Sequence, residues 1–128
     1  MSVSEKPALR VAVVGACASG KSTLVDALCQ AGYEARHVAQ EHSYVPAMWQ
    51  RISRPDVLVY LDANYETIMA RRPVFDFSPA DLQEQNRRLA HARRHCHLYM
   101  DTSNLAPAEI LQRCLEYLEN FWPTGPEE

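Results

Sequence analysis

The clearest chemistry in the chain lies in eight consecutive residues, Gly15-Ala16-Cys17-Ala18-Ser19-Gly20-Lys21-Ser22. They satisfy G-x-x-x-x-G-K-[ST] at every fixed position. Gly15 and Gly20 let the backbone curl until consecutive N–H groups face one anion. A helix starting near Lys21 adds its own free N–H groups and dipole. Lys21 supplies a mobile positive charge suited to β- and γ-phosphates. The Ser22 hydroxyl is a hard oxygen suited to Mg²⁺. The expected nucleotide-holding set is Gly15, Ala16, Cys17, Ala18, Ser19, Gly20, Lys21, Ser22 and Thr23. Its expected ligands are ATP or another nucleoside triphosphate, and Mg²⁺. Lys21 is read as an exposed cation whose removal leaves the fold intact.

A chance match in a glycine-containing turn would lack the surrounding elements that this loop has. Residues 9–14 (LRVAVV) form a valine-rich, nearly continuous apolar run, the pattern of a strand buried on both faces. Residues 21–31 read as a helix with Leu24, Val25 and Leu28 on one face and Gly32 as its stop. Residues 34–39 are a less apolar strand. Residues 45–52 read as a short helix starting at Pro46, with Met48, Trp49 and Ile52 inward. Residues 56–61 (DVLVYL) give a second buried-strand pattern ending at Asp62, and 65–72 a helix stopped by Pro73. Residues 78–95 form the longest expected helix, capped by Ser78 with Pro79 in its first position. A last strand at 96–100 precedes an amphipathic helix at 107–121. Alternation of this kind predicts an α/β fold with a parallel sheet of about four strands and helices on both faces. The 9–14 strand is expected at the centre, flanked by 34–39 and 56–61, with 96–100 at the far edge.

With 128 residues the chain fits one domain. Its ends, 1–7 and 123–128, read as loose. The net charge of −3 argues against a nucleic-acid or anionic-membrane partner. No apolar run approaches the ~18 residues that span a bilayer, and residues 1–6 carry no apolar signal region. The four cysteines form no C-x-x-C unit, so reduced thiols and a cytoplasmic location are expected. Eleven of the thirteen basic residues are arginine, and the two lysines are Lys6 and Lys21. A lone interior lysine inside a glycine loop is a specific feature rather than surface decoration.

Three segments resemble the small P-loop kinases, the nucleoside-monophosphate, adenylylsulfate and shikimate kinase group. The first is residues 15–22. The second, residues 54–72 (RPDVLVYLDANYETIMARR), is similar to that family's "LD" strand and the helix leading into its lid. The third, residues 98–110 (LYMDTSNLAPAEI), is similar to its last strand, adenine-side loop and C-terminal helix. The resemblance implies a three-layer α/β/α P-loop NTPase core and a phosphotransferase moving the γ-phosphate to a small metabolite or nucleotide. Only residues 33–54 lie between Gly32 and the "LD" strand. At least one family strand and most of the usual acceptor region have no counterpart, which implies a reduced form. No N-K-x-D or D-x-x-G occurs, which sets the chain apart from GTPases.

Further candidates follow from that resemblance. Glu41 takes the place of an acidic residue that holds the acceptor or accepts its proton; the plainer reading is a solvated loop carboxylate. Asp62 ends a buried strand at the carboxyl edge of the sheet, where it could support Mg²⁺; in the family this position also caps the next helix. Arg71 and Arg72 match lid arginines that clamp transferring phosphates. His91, His95, Cys96 and His97 offer metal-ligand types, with His91 and His95 at helical spacing but no second ligand pair. Three functions remain open: a phosphotransferase, a non-catalytic nucleotide-binding module, and a subunit completed by a partner or a second copy. Trp49, Phe121 and Trp122 would make the apolar contact in the third.

Overall fold

The computed structural model describes residues 9–121. The termini expected to be loose, 1–7 and 123–128, and Trp122 lie outside those residues. Four strands pair in parallel: β1 (Arg10–Gly15), β2 (Glu34–His37), β3 (Val57–Asp62) and β4 (Leu98–Asp101). Their order is β2-β1-β3-β4, as the apolar gradient of the strands predicts. β1 and β3 are apolar along almost their whole length because both of their faces are covered.

Alternate strand residues feed two cores. Val11, Val13, Val57, Val59 and Leu61 pack with Leu24, Val25 and Leu28 of α1 (Lys21–Gln30) and with Ile110, Cys114 and Leu118 of α6 (Pro107–Asn120). Ala12, Val14, Leu58 and Tyr60 pack with Trp49 of α2 (Met48–Ser53), and with Leu89 and Ala92. The fold is therefore α/β, an all-parallel sheet with helices on both faces. A smaller cluster of Ala16, Ala63, Ile68 and Phe77 lies beneath α3 (Tyr65–Arg71), next to the loop that follows β1. Trp49 is buried in the second core, which corrects its expected role in an apolar contact surface.

The single helix expected over 78–95 is two helices, α4 (Pro79–Arg88) and α5 (Ala90–His95). Ser78 and Asp81 form a reciprocal capping box at the start of α4, with Pro79 in the first turn. The break falls at Leu89, whose side chain is fully buried. The hydrogen bonds Leu89 N to Gln85 O and Arg93 N to Leu89 O persist across it. The break lets α4 pack on the 3₁₀ turn Gln40–His42 while α5 packs on β3. No helix among the described residues is long and apolar enough to cross a membrane.

Candidate functional site

The loop after β1 is fixed from below by β3. Gly15 is paired with Leu61 in the sheet, and a Cβ on Gly15 would stand 2.1 Å from the Leu61 carbonyl oxygen. Only glycine allows that approach. Ala18 (φ 58°) and Gly20 (φ 105°) are left-handed and turn the chain into α1. Gly20 precedes the helix without a side-chain cap, and the first turn carries no acidic residue. Among the described residues, the backbone N–H groups of Gly20, Lys21, Ser22 and Thr23 have no protein acceptor. A helix start in this condition favours an anion.

The Lys21 side chain folds back across the loop. Its Nζ donates to the Gly15 and Ala16 carbonyl oxygens at 2.9 Å each, and sits 3.1 Å from Glu41 Oε2. The Lys21 and Glu41 side chains are only 9% and 6% exposed. This corrects the expectation of an exposed cation: Lys21 is one half of a buried ion pair. It also removes the solvated reading of Glu41. Among the described residues, Glu41 Oε1 is buried with no hydrogen-bond partner, as is Ser19 Oγ.

Cys17, Ala18, Gly20, Lys21, Ser22, Thr23, Glu41, His42, Arg71 and Arg72 all line one open pocket of about 530 Å³. Residues from separate parts of the chain thus converge at the carboxyl edge of β1 and β2. An adjoining pocket of about 330 Å³ shares Gly20, Thr23 and Arg71, and is otherwise walled by Leu24, Leu105, Pro107 and Ile110.

Arg71 has a different position from the free clamp expected of it. Its Nη1 donates to Ala18 O at 2.7 Å and to Thr102 Oγ1 at 3.2 Å, and its Nη2 to Thr102 O at 2.6 Å. The guanidinium fork ties the loop to the segment after β4. Arg72 lies over the Phe75 ring, 4.3 Å from its centroid, at the pocket wall. The remaining arginines of 71–97 do not line the pocket.

Asp62 stands apart from the pocket. Its Oδ2 accepts from the Tyr99 hydroxyl at 2.5 Å and lies 3.6 Å from Arg93 Nη1, while Oδ1 accepts from Ala63 N. Burial, the hydrogen bond to Asp62 and the Asp62 charge push the Tyr99 phenol up to about 12. Asn64, not Asp62, caps α3 by accepting from Thr67 N.

Of the group His91, His95, Cys96 and His97, in and just after α5, three are likewise committed to structure. His91 Nδ1 accepts from Trp49 Nε1, and His97 Nδ1 accepts from Leu58 N. Cys96 Sγ donates to Arg93 O. Burial, then the neighbouring His95 and Arg94, lower His91 from its ordinary value.

Three buried polar residues escaped the sequence reading. Gln85 clamps Cys17: its Oε1 accepts from Cys17 N and its Nε2 donates to Cys17 Sγ, both at 3.0 Å. Thr102 Oγ1 bridges Ser19 O at 2.9 Å and Asp62 O at 3.0 Å. Gln40 accepts from Trp49 N and donates to Val45 O and Arg88 O. Gln85 carries a sequence signal, a polar residue at helical spacing with Leu82, Leu89 and Ala92. Thr102 and Gln40 carry none, since their partners are set by tertiary placement.

No protein-family model matches the chain, and no curated protein matches it.

Proposed function

We propose that this chain binds a nucleoside triphosphate with Mg²⁺ through residues 15–23, and that it is a small, reduced P-loop kinase-like phosphotransferase. The observation that carries the binding reading is the start of α1. Four backbone N–H groups without acceptors among the described residues belong to residues that line a pocket shared with Lys21 and Glu41. A triphosphate satisfies that arrangement, since its oxygens accept from the N–H groups and from Lys21 together.

The donor set fits Mg²⁺ in a limited way. Ser22 lines the pocket beside Lys21, and Glu41 is the carboxylate there among the described residues. Bound Mg²⁺ would neutralise phosphate charge, with Ser22 and water completing its shell. The adjoining pocket, apolar on the Leu24, Leu105, Pro107 and Ile110 side, suits a flat base.

Lys21 and Glu41 supply the residue chemistry for transfer. Phosphate oxygens compete with the Glu41 carboxylate for the ammonium. As Lys21 turns to phosphate, Glu41 is freed at the pocket wall to orient an acceptor hydroxyl and take its proton. Arg72, whose guanidinium makes no hydrogen bond to the loop, is the cation we assign to charge on the transferring group. Arg71 holds the loop in shape. A second reading, binding without transfer, is favoured by one observation: the segment 40–53 that borders the pocket is a 3₁₀ turn and one short helix, a small wall for an acceptor.

The test is a titration of ATP into the chain with and without Mg²⁺, followed by ATP consumption with nucleosides, nucleotides and small hydroxylated metabolites. Mg²⁺-dependent binding lost in Lys21→Ala supports the nucleotide site. Wild-type-like ATP binding by Lys21→Ala sinks it. Tight binding with no consumption by any acceptor removes the transferase and leaves the binding module.

A further inference from the structure

Glu41, the base of the transfer reading, also belongs to a second group of side chains at the loop. Cys17 comes from the loop after β1, and Glu41 and His42 from the 3₁₀ turn after β2. One donor atom from each, a sulfur, a carboxylate oxygen and an imidazole nitrogen, lie within 4.8 Å of one another. Cys17 Sγ is 3.9 Å from His42 Nε2, and Glu41 Oε2 is 3.8 Å from the same nitrogen. Tetrahedral Zn²⁺, with bonds of ~2.3 Å to sulfur and ~2.0–2.2 Å to nitrogen and oxygen, sets its donors roughly 3.4–3.6 Å apart. The two spacings to His42 Nε2 are within about 0.5 Å of that, and the Cys17–Glu41 spacing, within 4.8 Å, closes by side-chain movement.

We propose that Cys17, Glu41 and His42 form a three-ligand site for a zinc-class divalent cation at the wall of the loop, with a fourth position open to water. A second observation points the same way. The Glu41 side chain is more than nine-tenths buried, yet its Oε1 has no partner among the described residues. A buried carboxylate oxygen without a donor is costly and uncommon. The oxygen without a donor is Oε1, while Oε2 faces Lys21 and His42, so a cation gripped by both oxygens of this carboxylate answers that deficit.

The scaffold around the three ligands is already held. Gln85 grips both the Cys17 N–H and its sulfur. Arg88 donates to Glu41 O, and Gln40 donates to Arg88 O, so α4 braces the turn. Support of this kind orients ligands before the ion arrives. The donor chemistry selects the ion. Thiolate and imidazole suit Zn²⁺ and not Mg²⁺, which demands oxygen. On binding, the Cys17 thiol gives its proton to solvent and the His42 ring binds as neutral imidazole, so affinity rises with pH. The ion replaces the Lys21 ammonium on the Glu41 carboxylate, and Lys21 keeps its two carbonyl acceptors.

This site does not rest on the nucleotide reading, and its test contains no nucleotide. Co²⁺, a spectroscopic stand-in for Zn²⁺, is titrated into the reduced full chain without Mg²⁺. The expected result is a thiolate-to-Co²⁺ charge-transfer band with tetrahedral visible absorption, displaced by Zn²⁺. Cys17→Ser should abolish the band, and Cys96→Ser should keep it. His42 is exposed, so His42→Ala should fold normally and bind Co²⁺ at least about tenfold more weakly. Absence of the band, its survival in Cys17→Ser, or unchanged affinity in His42→Ala of wild-type melting behaviour overturns the proposal.

Discussion

Glu41 and Asp62 both follow a parallel strand at the carboxyl edge of the same sheet, yet only Glu41 reaches the pocket. Glu41 lies beyond β2 and its carboxylate is buried on Lys21. Asp62 closes β3, two strands further along the sheet with β1 between, and its carboxylate is taken by Tyr99, Arg93 and the Ala63 N–H. The partners come from different places. Lys21 belongs to the loop itself, so Glu41 is coupled to whatever the loop binds. Tyr99 and Arg93 belong to β4 and α5, so Asp62 ties the far edge of the sheet together. Two carboxylates that both read as site candidates in sequence are separated by which neighbouring element reaches them.

The strongest way to break that contrast is to remove the cation from each. Lys21→Ala should abolish ATP binding and also destabilise the chain by about 3 kcal/mol, because a buried carboxylate is left unpaired. Adding Glu41→Gln should restore most of the stability and none of the binding. Arg93→Ala, across a longer and more exposed pair, should cost at most about 1 kcal/mol. Urea denaturation of the three variants checks this. Equal losses for Lys21→Ala and Arg93→Ala would erase the distinction.

The two lid arginines sharpen the comparison next. Under the transferase reading, Arg72→Ala should lower turnover by about a thousandfold while ATP affinity and melting stay near wild type. Arg71→Ala should instead lower the melting temperature and weaken ATP by about tenfold, since hydrogen bonds to Ala18 and Thr102, worth about 1 kcal/mol each, are lost and the loop loosens. Turnover falling equally in both at constant affinity would contradict the positioning role of Arg71. At the metal position, Ser22→Ala should remove most of the Mg²⁺ enhancement of ATP binding, measured by calorimetry.

Sequence pattern made the scaffold legible because it is written in local terms. Continuous apolar runs require two covered faces, so β1 and β3 and their central place follow. Ser78, Pro79 and Asp81 state the start of α4 outright. The loop 15–22 is legible for the same reason, its backbone path demanding glycine at Gly15, under the Leu61 carbonyl. Partnerships were not legible. Lys21 reads as free until β2 brings Glu41 to it, and Arg71 reads as a clamp until β4 brings Thr102. The histidines of α5 look like ligands in sequence because they are close along the chain. His42 and Cys17 do not, because only the fold makes them neighbours. The break at Leu89 was hidden because α4 and α5 share one helical periodicity while packing on different partners.

The smallest expected effect tests the Asp62 side directly. Tyr99 is pushed up to about 12, first by burial and then by its hydrogen bond to Asp62 and the charge there, with Arg93 opposing. A tyrosine titrates near 10 in an unfolded chain. The folded state therefore holds the neutral phenol more firmly than the unfolded state does. The stability linked to this is fully present below pH about 10 and is lost as pH rises through about 12. Asp62→Asn removes the charge and weakens the acceptor, so Tyr99 should ionise at lower pH and the alkaline loss of stability should become shallower. ATP affinity with Mg²⁺ at neutral pH should stay within about twofold, as expected for a residue outside the pocket. Ultraviolet titration of phenolate absorption, with Tyr99→Phe to identify the signal, measures the first effect, and calorimetry the second. If Tyr99 titrates in Asp62→Asn as it does in wild type while ATP affinity falls tenfold, Asp62 serves the nucleotide and not β4. The contrast with Glu41 would then collapse into two carboxylates sharing one site.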